Sequence, residues 1–250
     1  MQKFSKHMIA LLRKEIVSFF SSLIGYLVII IFLLATGLIL WIFDSEMNIL
    51  QSGYASVEGL FLLAPWIFLF LAPAISMRFF AEERKSGTLE LLLTMPLSNM
   101  SIVLAKYFAA VILLCIALLP TILYVVTVYA LGSPPGNLDV GATIGSYFGL
   151  IFLGAMYLAI GVFVSSLTDS QIVSFIVAAA LCFVFFLGFD FIAEISSGAA
   201  LKSIISYIGI RQHYDSISRG VIDTRDIVYF VSFIVLFLYL TSLSVSRTRK

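Results

Sequence analysis

Six long stretches of this chain contain no Asp, Glu, Lys or Arg: 16–43, 59–77, 107–138, 140–168, 170–189 and 227–246. A helix rising about 1.5 Å per residue crosses a hydrocarbon layer of about 30 Å in roughly 20 residues, so each stretch is a candidate span. Water is absent from that layer, and a helix satisfies its own backbone N–H and C=O groups there. The chain is 61% hydrophobic and 12% charged. A soluble domain carries roughly 25% charged residues. The sequence therefore reads as an all-α integral membrane protein.

The expected spans are 23–43, 59–77, 105–131, 143–166, 171–189 and 227–246, forming one six-helix transmembrane domain over 23–250. Crossing in order puts the N-terminus, loop 78–104, turn 167–170 and the C-terminus on one side. That side holds Lys3, Lys6, Arg13, Lys14, Arg78, Arg84, Lys85, Lys106, Arg247, Arg249 and Lys250. The other side holds only Lys202, Arg211, Arg219 and Arg225, and its loops 44–58 and 132–142 contain no Lys or Arg. The excess of positive charge places both termini in the cytoplasm. Trp41, Tyr129 and Tyr229 then fall at the outer edge, where amphipathic rings favour the headgroup layer. The first apolar stretch, Leu23 to Phe43, ends in Trp-Ile-Phe-Asp rather than a small-residue cleavage site, and is expected to remain as the first span.

Residues 1–22 form an N-terminal amphipathic cytoplasmic helix. Phe4, Met8, Leu11, Leu12, Ile16 and Phe19 share one face, while Lys3, Lys6, His7, Arg13 and Lys14 gather opposite and suit anionic lipid headgroups. Glu15 falls within the apolar arc, either at a solvated edge or paired with a neighbouring element. The extracytoplasmic loop 190–226 is too long for a plain connector. Its apolar part reads as short helices dipping back toward the membrane, followed by a polar hinge from Arg211 to Asp226.

Several function classes are disfavoured. A net charge of +1 gives no sign of nucleic-acid binding. Cys115 and Cys182 lie in apolar runs and form no metal-ligand or disulfide pattern. The two histidines, His7 and His213, fall outside the spans on opposite sides, so no base is at hand for an intramembrane nucleophile. No span carries a charged residue near its middle, where ion-coupled carriers usually place one. A Gly-x-x-x-x-Gly-Lys-Ser/Thr phosphate loop is missing, so any ATP-driven work needs another polypeptide.

Loop 78–104 differs from everything around it. Charged residues Glu82, Glu83, Arg84 and Lys85 precede Ser86-Gly87-Thr88, and Leu89, Leu91, Leu92 and Leu93 follow, with Pro96 as the stop. Ser86 or Gly87 can cap a short helix whose first turn contains Glu90, favourable to the helix dipole.

The run from Glu82 to Leu93, followed by Pro96-Leu97-Ser98, strongly resembles the Glu-x-x-x-Gly-Thr-Leu-Glu stretch of ABC-2 type permeases. The likeness extends over nearly the whole chain. Ile24-Gly25-Tyr26-Leu27-Val28, Leu63-Ala64-Pro65-Trp66 and the segment Gly141 to Leu150 make it most similar to the permease subunit of the gliding-motility ABC transporter. The resemblance implies a multi-pass subunit of the bacterial cytoplasmic membrane and a coupling helix within 82–98 that docks on a separate ATPase. It implies ATPase-coupling roles for Glu82, Glu83, Arg84, Gly87, Thr88, Leu89 and Glu90, with a second, weaker contact at Ser166–Ser170 through Asp169. The chain itself would be no enzyme and hold no cofactor, ATP and Mg belonging to the ATPase. Its partners would be that ATPase, a second copy or a related permease, and membrane lipid.

Gly141, Gly145 and Gly149, spaced four apart, suit close helix packing, within one chain or at a dimer seam. Pro65 and Pro73 predict distortions that expose carbonyls in the second span. Thr36, Ser76, Thr121, Thr127 and Ser174 either line a path or bond to helix backbones. Two other functions stay open at this point: a membrane scaffold for a motility or secretion machine without transport, and a secondary carrier acting alone.

Overall fold

The computed structural model describes residues 2–94, 97–195, 198–221 and 223–248; Pro96, Arg249 and Lys250 lie outside the described residues. The helices are α1 (Gln2–Phe20), α2 (Leu23–Ile42), α3 (Glu58–Ser76), α4 (Ala81–Lys85), α5 (Thr88–Leu93), α6 (Asn99–Leu131), α7 (Val140–Ser165), α8 (Gln171–Ile195), α9 (Ala199–Ile208), α10 (Ile210–Ile217) and α11 (Thr224–Thr248). Six of them, α2, α3, α6, α7, α8 and α11, are long and apolar enough to span a membrane.

α7 is the centre of the bundle and packs against α3, α6, α8, α10 and α11. Its glycines set how closely those neighbours come. A Cβ at Gly161 would stand 1.9 Å from Ser76 Oγ, and one at Gly154 would stand 2.3 Å from Leu114 Cδ2. Gly145 and Gly149 face Gly220 and Ile217 of the same chain, whereas Gly141 is exposed beside the Asp139 carboxylate that caps α7. The small-residue row thus continues deeper than 141–149, to the positions where α3 and α6 meet α7.

Outward-facing Leu23, Ile30, Ile31 and Leu34 on α2, and Ile172 and Ile176 on α8, are exposed and suit a lipid surround. The hydroxyls of Thr36, Ser76, Thr121 and Thr127 donate to carbonyls of their own helices at 2.7–2.9 Å. That is the backbone-bonding alternative for these positions. The Ser174 hydroxyl is buried and has no partner among the described residues.

Two boundaries move from expectation. α6 begins at Asn99, capped by Ser98, and not at 105, so Lys106 sits two turns inside the helix rather than at its start. The segment read as a polar hinge contains α10, because Ile210, His213, Tyr214 and Ile217 recur at helical spacing and are all buried.

One end of the bundle gathers α1, α4, α5, the turn 166–170 and the end of α11, where Ser244 Oγ donates to Ser166 O at 3.1 Å. The opposite end carries loop 44–57, turn 132–139, and α9 and α10.

Candidate coupling site

α4 and α5 meet at Gly87, whose φ of +70° lies in the left-handed region. Nothing lies within 4 Å of where its Cβ would stand, so the demand for glycine is conformational and not a matter of space. Ser86 Oγ lies 2.8 Å from Thr88 Oγ1, and both hydroxyls point back to the Glu83 carbonyl, tightening the elbow.

Side chains of this elbow divide into two faces. Leu89, Leu92 and Leu93 are buried. Glu82, Lys85, Thr88, Glu90 and Leu91 are exposed. Glu82 holds Arg78, one turn earlier, at 2.9 Å, and Arg78 also donates to Ser22 at the junction of α1 and α2. Arg84 is partly buried.

Glu83 turns inward. Lys106 Nζ, fully buried, lies 2.9 Å from Glu83 Oε2, donates to Glu15 Oε1 at 2.8 Å and to the Phe79 carbonyl at 2.7 Å. Lys14 Nζ donates to the second oxygen, Glu83 Oε1, at 2.9 Å. Burial lowers the pKa of Lys14, but the hydrogen bond and charge of Glu83, with Glu15 and Glu82 behind them, outweigh it and hold the ammonium above its ordinary value. Two cations and two carboxylates balance in charge: Lys106, Glu15 and Glu83 are buried, and the exposed Lys14 closes the cluster at its rim. Glu15 is thus paired with the third span, the alternative to a solvated edge.

The cluster joins three elements far apart in sequence: α1, the elbow and α6. A further link comes from α7. Ser165 Oγ accepts from the amides of Phe80 and Ala81 at 3.0 and 3.1 Å, two first-turn donors of α4 without helical partners, and donates to the Met77 carbonyl at 3.1 Å. Asp169 stands exposed in the turn immediately after.

A groove of about 190 Å³ opens beside the elbow, lined by Lys14, Glu15, Arg78, Glu82, Glu83 and Thr88 among others. A second, about 400 Å³, lies between α1 and α5 along His7, Leu11, Leu91 and Leu92. The site can therefore receive a partner on its exposed face while its buried face is fastened to α1 and to two spans, α6 and α7. Among the described residues no cluster of His, Cys, Asp or Glu suits a metal ion.

The family model described as ABC-2 family transporter protein matches residues 9–248. The chain belongs to this family. As an ABC-2 permease it is a multi-pass membrane subunit of an ABC transporter, is not itself catalytic, and partners an ABC ATPase subunit. No curated protein matches the chain.

The sequence drew attention to Glu82, Glu83, Gly87, Thr88, Leu89 and Glu90, and the ABC-2 permease places them on one elbow with opposed faces. Lys106 and Ser165 were missed as its anchors. The available signal was charge pairing: Glu15 falls within the apolar arc of its helix, and Lys106 is an opposite charge set among apolar residues.

Proposed function

We propose that this permease serves an ATP-driven exporter and that the 82–98 segment receives the movement of the ATPase and passes it to the spans. The observation that carries this reading is the division of the elbow. Its exposed face offers Glu82, Thr88, Glu90 and Leu91 to a partner, while Glu83, Leu89 and Leu92 are held against the rest of the chain. Arg84 and Asp169 lie at the same end and extend the proposed docking surface. ATP and Mg belong to the ATPase, and this chain supplies no cofactor site. The working unit contains a second copy or a related permease in surrounding lipid, and sits in the bacterial inner membrane with both termini in the cytoplasm, as the Lys and Arg distribution favours. The runs at 24–28, 63–66 and 141–150 favour a role in gliding motility or cell-surface export.

A mild-detergent pull-down of the tagged chain tests the central part. An ATPase should co-elute, and Glu82→Lys with Glu90→Lys should release it without unfolding the permease. A permease that elutes alone, with no associated hydrolysis, would move the scaffold or carrier readings to the front. Loss of surface spreading on deletion of the gene would test the motility assignment.

A further inference from the structure

The end of the molecule opposite the elbow holds a buried ionisable pair that coupling does not use. His213 of α10 is almost completely buried. Its Nε2 lies 2.8 Å from the Tyr207 carbonyl, and its Nδ1 lies 2.6 Å from Asp226 Oδ1 at the start of α11. The ring stacks on Tyr229 at 3.9 Å and meets Tyr207 edge-on at 4.8 Å. A backbone carbonyl only accepts, so Nε2 must carry a proton. Nδ1 and the carboxylate oxygen then need one more proton between them, because at 2.6 Å two bare lone pairs would repel. The arrangement therefore holds one proton more than a neutral imidazole beside an ionised carboxylate.

The segment fastened by this proton covers the end of the bundle. Tyr214 donates to the Phe61 carbonyl of α3 at 2.6 Å, and Ser146 of α7 donates to the Ser218 carbonyl at 2.6 Å. Gly220, with φ of +82°, lies so close to α7 that a Cβ would stand 2.3 Å from Ala142 Cα. The hairpin 210–220 thus rests on α3, α7 and α11 together.

The ionisable groups around His213 come from each element packed on α10. α11 supplies Asp226 and Tyr229, α9 supplies Tyr207, and α7 supplies the buried Tyr157. The adjoining segment 184–188 of α8 contains no ionisable residue. On α10 itself, Arg211 points toward Asp190 and Asp215 at 3.9 and 3.8 Å. Burial raises the Asp215 carboxyl pKa against the pull of Arg211 and Arg219. Among the described residues, Asp226 is the carboxylate in contact with the imidazole.

We propose that the His213–Asp226 pair is a proton-operated latch that seats hairpin 210–220 over this end of the permease. With the proton in place, imidazolium and carboxylate attract and the hairpin is closed. A neutral imidazole keeps a single N–H and can serve only one of its two acceptors, so losing a proton sets a ring lone pair against either Asp226 or the Tyr207 carbonyl, and the hairpin lifts. Closure is favoured on the acid side and release on the alkaline side.

Spin labels at Gln212→Cys and Asn137→Cys, both exposed positions, test this in the full chain in lipid nanodiscs with Cys115→Ala; Cys182 is fully buried. Distances are read from about pH 5 to about pH 9, the range in which a histidine changes charge. The wild-type pair should give one short distance at the acid end and a growing longer population toward the alkaline end. Asp226→Asn should stay short throughout, because its amide can donate to a neutral Nδ1. A wild-type distance that does not change with pH overturns the latch, and so does a pH-dependent lengthening that persists in Asp226→Asn. Neither result depends on an ATPase being bound, so the latch and the coupling proposal fail separately.

Discussion

Lys106 lies 2.9 Å from Glu83, so the third span grips the elbow through a charge rather than through apolar contact alone. Glu15 completes the grip from α1 at 2.8 Å. Ion pairs removed from water resist sliding because displacement leaves a charge bare. A push on the elbow should therefore move α1 and α6 with it.

Replacing Lys106 by Met should leave two buried carboxylates facing one another and destabilise the permease by about 3–5 kcal/mol. The triple variant Lys106→Met, Glu15→Gln, Glu83→Gln should recover much of that loss. Thermal unfolding in detergent compares the two.

Lys14 contributes through its attachment to Glu83, and its folded pKa lies above the ordinary lysine value of 10.5. A raised pKa means that this contribution is fully present below the unfolded value and is lost as pH rises through the folded one. Amide protection of the elbow, corrected for intrinsic exchange, should be insensitive to Lys14 titration at neutral pH and fall at strongly alkaline pH. The fall should be smaller in Lys14→Met.

Ser165→Ala removes the oxygen that receives the Phe80 and Ala81 amides and should cost about 1–3 kcal/mol. Hydrogen exchange should rise first across 80–85, with the far end of α7 unchanged.

Pro65 has no N–H to offer the Phe61 carbonyl one turn back, and Tyr214 fills that vacancy. Tyr214→Phe should cost about 1 kcal/mol with Pro65 present and much less in Pro65→Ala, where the helix supplies its own donor. A double-mutant cycle on thermal stability reads the difference.

The spans were legible because lipid leaves few forms open to long charge-free runs. The elbow was legible because Glu82–Glu90 mixes charge, a glycine and leucines in a pattern unlike its surroundings. Lys106 was read only as a topological charge, since its partners Glu15 and Glu83 are far away in sequence and no periodicity joins them. Ser165 was hidden for the same reason: its role is to cap a helix elsewhere in the chain. α10 was missed because its polar residues outnumber its buried ones, although Ile210, His213, Tyr214 and Ile217 carry the helical spacing. The carbonyl at Phe61 was foreseeable from Pro65, but its donor, Tyr214, was not.

The central claim is that elbow movement reaches the spans through the Lys106 cluster. The direct measurement is the ATP-dependent response of a probe at Tyr54→Cys, at the far end, in lipid nanodiscs containing the permease and its ATPase. Wild-type complex should respond to ATP. The neutral triple variant should keep its ATPase and its hydrolysis yet show little or no response at Tyr54. An undiminished response in that variant would contradict the account.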